Sequence, residues 1–159
     1  MAGSRFLSLP RAQAFIACLL LGFALIGCEA RFISDYDEIF DKAVTDTQKK
    51  TDGFLLKLQD DRARERKYAV AKPIYEDILN DIHSLKVRAQ ANNAQSLNQK
   101  TIDQINFLEA NFQKIQAQHE KTPNGPSVAF VRDAEDSVDI QFESILKLEI
   151  AKKRGSPKT

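Results

Sequence analysis

Between residues 40 and 58 the side chains of Phe40, Val44, Thr47, Thr51, Phe54 and Leu58 recur in alternating steps of four and three. Only an α-helix brings such positions onto one face, because its turn of about 3.6 residues lies close to the 3.5-residue average of that spacing. Three more stripes follow the same rule. Ala71, Ile74/Tyr75, Ile78, Ile82, Leu85 and Ala89 make the second. Leu97, Thr101, Ile105, Leu108, Phe112, Ile115 and His119 make the third. Val128, Val131, Ala134, Val138, Phe142, Ile145 and Leu148/Glu149 make the fourth. Alternating runs of Val, Ile and Thr, the mark of a half-buried strand, are absent. With only 6 glycines and 5 prolines in 159 residues, little interrupts the helices. The expected fold class is all-α.

Punctuation divides the stripes into four helices. Ser34 or Asp35 is expected to open the first, with Asp35 and Glu38 resembling a capping box. Asp37 and Asp41 place negative charge where the helix dipole favours it. Thr47 and Thr51 fall mid-seam, where a threonine can bond back to its own helix. Residues 60–67, DDRARERK, read as a solvated helix end or the first connection. Pro73 is expected in the first turn of the second helix, where its missing N–H does no harm. Asn92-Asn93 makes the next turn, and Thr122-Pro123-Asn124-Gly125-Pro126 breaks the chain decisively. Ser127 is a natural N-cap for the last helix, which ends near Lys152-Lys153-Arg154. Four helices of roughly 22–27 residues, about 35–40 Å long, predict an antiparallel up-down-up-down four-helix bundle over 34–153, with a tail at 154–159.

The N-terminus is of another kind. Arg5 and Arg11 precede Ala14–Gly27, 14 residues without a charge. A helix that spans a bilayer core needs roughly 20 apolar residues, so this run fits the apolar region of a signal peptide. It ends in Leu25-Ile26-Gly27-Cys28, which resembles the lipobox of bacterial lipoproteins. The resemblance implies cleavage between Gly27 and Cys28, diacylation of the Cys28 thiol, and often acylation of the new amine. Residues 1–27 would then be a signal peptide and 28–33 a lipidated spacer. One acyl chain holds a membrane only marginally, whereas two or more anchor stably. Glu29, where an aspartate would favour the inner membrane, implies the periplasmic face of an outer membrane. Beyond the lipobox, the chain is similar to small helical-bundle lipoproteins, a likeness of architecture that carries no functional motif.

Processing would discard Cys18 and leave Cys28 without a partner, which excludes a disulfide and a cysteine metal site. The full chain has 23 basic and 22 acidic residues, and loss of Arg5 and Arg11 leaves 21 against 22. That balance does not suggest nucleic-acid binding. In the expected topology the helix 1 start, the Asn92-Asn93 loop and the C-terminal tail share the membrane-facing end. Lys152, Lys153 and Arg154 are therefore candidate headgroup contacts, with capping of helix 4 as the simpler role. Arg62, Arg64, Arg66 and Lys67 fall at the other end as candidate partner contacts, diluted by Asp60, Asp61 and Glu65.

Reactive chemistry is hard to find. His83 and His119 follow Asn80 and Gln116 by three residues, so neither completes the Glu-x-x-His motif of a di-iron bundle. Each reads as a boundary histidine with an ordinary hydrogen bond. Met1 is the only methionine, and Cys-x-x-Cys-His is absent, so no haem ligand set is available. The pairs Asp37/Asp41 and Asp77/Asp81 read as solvated faces rather than acid–base machinery. Tyr36, Tyr68 and Tyr75 read as seam residues with hydroxyls toward water. No catalytic, cofactor or metal residue is assigned. The expected function is that of a membrane-anchored envelope lipoprotein whose non-catalytic bundle serves as a protein-interaction or structural module. A pilotin-like, secretin-targeting lipoprotein is one alternative. A carrier of a small apolar ligand, held around Thr47, Thr51 and Thr101, is another.

Overall fold

The computed structural model describes residues 35–93, 97–122 and 124–155. Among them lie four α-helices: α1 (Glu38–Gln59), α2 (Tyr68–Ala91), α3 (Gln99–Lys121) and α4 (Val128–Gly155). A 3-10 turn, Arg64–Arg66, interrupts the connection from α1 to α2. Each helix packs against its neighbours in sequence, and α1 closes the set against α4. No strand occurs among the described residues, and none of their helices is long and apolar enough to cross a membrane.

The buried faces are the heptad stripes. On α1 they are Phe40, Val44, Thr47, Thr51, Phe54, Leu55 and Leu58. On α2 they are Ala71, Tyr75, Ile78, Ile82, Leu85 and Ala89. In α3 the stripe runs as expected from Thr101 to His119, but Ile102 is buried while Leu97, just ahead of the helix, is only half-buried. The α4 stripe keeps Val131, Val138, Phe142 and Ile145 and then turns polar, with Glu149 and Lys152 buried in phase. Each fully buried aliphatic or aromatic side chain contributes about 1.5–3 kcal/mol relative to exposure. Aromatic rings knit the middle: Phe54 meets Tyr75 edge-on at 4.7 Å, and Tyr75 lies 5.4 Å from Phe112. Thr47 and Thr51 donate to the carbonyls of Ala43 and Thr47, at 2.9 and 2.8 Å, so their hydroxyls are satisfied within α1.

Local starts and stops follow ordinary capping chemistry, with two corrections. The N-cap of α1 is Asp37, not Ser34 or Asp35. Its carboxylate accepts from the Ile39 and Phe40 amides at 3.0 and 3.1 Å. Asp37 prevails because the same carboxylate also meets α2, as described below. Pro73 sits in the second turn of α2 rather than the first. The extra turn is held by Tyr68, whose ring packs on His119 at 5.5 Å. Pro73 and Ala69 are both exposed, so water can serve the carbonyl that proline leaves without an N–H. At the start of α4, Ser127 Oγ accepts from the Phe130 amide at 3.2 Å, as expected of a cap.

Candidate functional site

Gly27, Cys28 and Glu29, the chemically specific residues of the sequence, lie outside the described residues. What the described bundle offers is a set of polar clusters at its helix contacts.

At one cluster the starts of α1 and α3 meet the ends of α2 and α4. Asp37, having capped α1, also accepts from Arg88 Nε at 2.6 Å, Arg88 Nη2 at 2.8 Å and Asn92 Nδ2 at 2.9 Å. The Arg88 hydrogen bond is the main reason its carboxyl titrates below the usual range. Asn98 donates to the Ala89 carbonyl at 2.7 Å, tying α3 to the end of α2. Lys152 reaches in from α4. Its ammonium donates to Glu149, to Asn98 Oδ1 at 2.5 Å and to Thr101 Oγ1 at 3.2 Å, and lies 5.8 Å from the centre of the Phe40 ring. Its side chain is only 4% exposed and that of Glu149 only 1%. Burial pushes the Glu149 carboxyl up, and the Lys152 ammonium opposes that shift. An isolated charge this deep would cost several kcal/mol, so each requires the other.

A second cluster lies where α2 begins and α3 ends. His119 is fully buried, not a boundary residue as the stripe's edge suggested. Its Nε2 lies 2.7 Å from the Arg66 carbonyl, which can only accept, so Nε2 carries the proton. Nδ1 then accepts from the Tyr75 hydroxyl at 3.2 Å. Tyr75 is itself fully buried, contrary to a seam tyrosine facing water. Desolvation lowers the His119 pKa and raises that of Tyr75, so both groups stay neutral. His83 is exposed.

The candidate cations divide. Arg62, Arg64, Lys67, Lys153 and Arg154 are on the surface. Lys153 holds its ammonium 5.1 Å from the centre of the Tyr36 ring. Arg66 and Lys152 turn inward, so neither is a surface contact. Arg66 donates to the Leu58 carbonyl and, at 3.0 Å, to the Pro126 carbonyl, clamping the two connections together. Its side chain lies against Gly125, where a Cβ would come within 3.0 Å of it. The acid pairs are engaged rather than merely solvated. Asp77 and Asp81 both accept from Lys50, at 2.9 and 2.5 Å, across the α1–α2 contact. Asp41 accepts from the Tyr36 hydroxyl at 2.7 Å, and that bond is the chief reason the phenol is pushed up to about 12.

Sequence reasoning missed three pairings: Glu149 with Lys152, Tyr75 with His119, and Asp52 with Asp139. The first had a signal. Positions 138, 142, 145, 149 and 152 continue the four-three rhythm, so a Glu and a Lys three apart were already in phase with the core. The other two join different helices, and nothing in one stripe names its opposite number. Among the described residues, no group of three His, Cys, Asp or Glu side chains is placed to hold a metal ion. Set against protein-family models, curated proteins and solved structures, the chain matches none of them.

Proposed function

We propose that this chain is a bacterial envelope lipoprotein, anchored through acylated Cys28, whose bundle works without catalysis as a protein-interaction or structural module. The observation that carries the reading is Leu25-Ile26-Gly27-Cys28 at the end of an uncharged run. Lipid would supply location at the periplasmic face of the outer membrane, and the bundle would supply shape. The contacts within the bundle support an up-down-up-down order. Asp37 meets Arg88, Tyr75 meets His119, and Lys152 meets Asn98, each pairing the start of one helix with the end of another. The non-catalytic part is supported by where the reactive side chains are used: His119, Tyr75, Lys152 and Glu149 all bond to the scaffold.

Metabolic labelling with a clickable fatty acid tests the anchor. The native chain takes up label and fractionates with membranes, and Cys28→Ser does neither. Equal labelling of the two would refute the reading.

The pilotin-like alternative needs a groove for a partner helix, and one observation favours it. A groove between α1 and α2 is lined by Ile39, Ala43, Leu85, Val87 and Ala91, with Ile39 66% and Val87 51% exposed. Envelope crosslinking from position 87 separates the two. A secretin among the crosslinked products supports the alternative, and other envelope proteins support the broader module.

A further inference from the structure

Asp52 on α1 and Asp139 on α4 face the contact that closes the bundle, close enough for the charge on Asp139 to bear on Asp52. The Oδ1 atom of each is buried and has no hydrogen-bond partner. Two carboxylates are acceptors only, so neither orphaned oxygen can be satisfied by the other unless one of them carries a proton. A single proton between the two oxygens satisfies both at once, and its loss leaves two like charges side by side in a partly dry seam. We propose that Asp52 and Asp139 form a shared-proton latch on the α1–α4 seam, closed in mildly acidic surroundings and loosened at neutral pH.

The surroundings leave the pair without a compensating cation. Among the described residues, neither carboxyl takes part in an ion pair, whereas Lys50 serves Asp77 and Asp81 together on the other side of α1. From α4 the next charge on the seam is Glu135, which adds negative potential and accepts from Gln59 Nε2 at 2.6 Å. Arg132 lies beyond it, its Nε 3.4 Å from Gln59 Oε1. On α1 itself Lys49 and Lys50 precede Asp52 in sequence, and Lys50 is held by Asp77 and Asp81 of α2. From α3, Asn111 donates to Gln141 of α4 at 3.0 Å, a neutral contact. Burial, and then the Asp139 carboxylate, push the Asp52 carboxyl up to about 6.

The sign follows. Asp52 holds its proton more tightly folded than unfolded, so its contribution to stability is complete below its unfolded pKa near 3.8 and lost as pH rises through about 6. His119 acts in the opposite sense, and comparing a variant with the native chain at each pH cancels it. The test is the melting temperature of the full chain in detergent, between pH 4.5 and 8, for the native protein, Asp52→Asn and Asp139→Asn. An asparagine at either position donates permanently to the surviving carboxylate. The expected result is a variant-minus-native difference near zero at pH 4.5 that climbs to several degrees in the variant's favour by pH 8. A difference flat with pH, or a variant less stable than native at pH 8, overturns the proposal. If both variants fold poorly, carboxyl-carbon NMR on the native chain decides. One member of the pair titrating near pH 6 supports the latch, and both titrating below pH 5 refutes it.

Discussion

The Tyr75 hydroxyl donates a hydrogen bond to His119 Nδ1 across 3.2 Å, and the His119 Nε2–H group donates one to the Arg66 carbonyl at 2.7 Å. This short relay of bonds joins α2, α3 and the first connection inside an otherwise aromatic core. Because the carbonyl can only accept, the imidazole tautomer is determined by its partners. A core of this kind is stable only while every member has its bond.

Tyr75→Phe keeps the ring and removes the donor, which leaves Nδ1 buried and unsatisfied. The expected loss is about 1–3 kcal/mol by urea denaturation. In the native chain the imidazole should titrate below its ordinary 6.5, since burial disfavours the cation. A depressed folded pKa means that His119's contribution is intact above about 6.5 and is lost as pH falls below it. NMR titration of the ring measures the midpoint, and a value at or above 6.5 would contradict the burial argument.

Lys152 and Glu149 form a buried pair whose value lies in being complete. Lys152→Ala should cost about 3–5 kcal/mol, because it leaves the buried Glu149 carboxylate without its cation. The double change Lys152→Met with Glu149→Leu should cost much less than the single one. A double-mutant cycle by chemical denaturation reads the coupling. Additive effects would mean the two groups do not depend on each other.

Asp37 combines a helix cap with an interhelical ion pair. Asp37→Ala should lose about 1–2 kcal/mol from the cap alone, and more because Arg88 and Asn92 lose their acceptor. Asp37→Asn keeps part of the cap, so it should fall between the two. The Asp37 carboxyl titrates below its ordinary value, so its contribution is present above pH 4 or so and is lost on acidification through its folded pKa. Stability curves of the alanine variant and the native chain should therefore converge toward low pH.

Gly125 turns the α3–α4 connection with φ at +98°, a backbone region that side chains with a Cβ avoid at about 1–2 kcal/mol. Gly125→Ala adds a second penalty, because the new methyl would press on the Arg66 side chain at 3.0 Å. The expected loss exceeds about 1 kcal/mol by thermal or urea unfolding. An unchanged stability would show that the Arg66 clamp yields freely.

The architecture was largely legible because the period of a stripe is a local property. Phe40 to Leu58 and Ala71 to Ala89 could be assigned to helix faces from spacing alone, and the structure buries those same side chains. Ser127 was legible as a cap for a similar reason: capping involves an amide only three residues away. Pro73 and the start of α1 were misplaced by a few residues. There the deciding contacts, Tyr68 on His119 and Asp37 on Arg88, come from elsewhere in the chain.

The sequence by itself determined that the chain is helical, which faces turn inward, where the chain breaks, and that an uncharged run ends in Leu25-Ile26-Gly27-Cys28. Only the tertiary structure decided what the polar side chains do. It turned Arg66 and Lys152 from candidate surface contacts into internal clamps, made His119 and Tyr75 partners, and set Asp52 against Asp139. The physical reason is that heptad spacing fixes the azimuth of a side chain on its own helix. Which neighbour it meets, and at what height, depends on how four helices settle against one another.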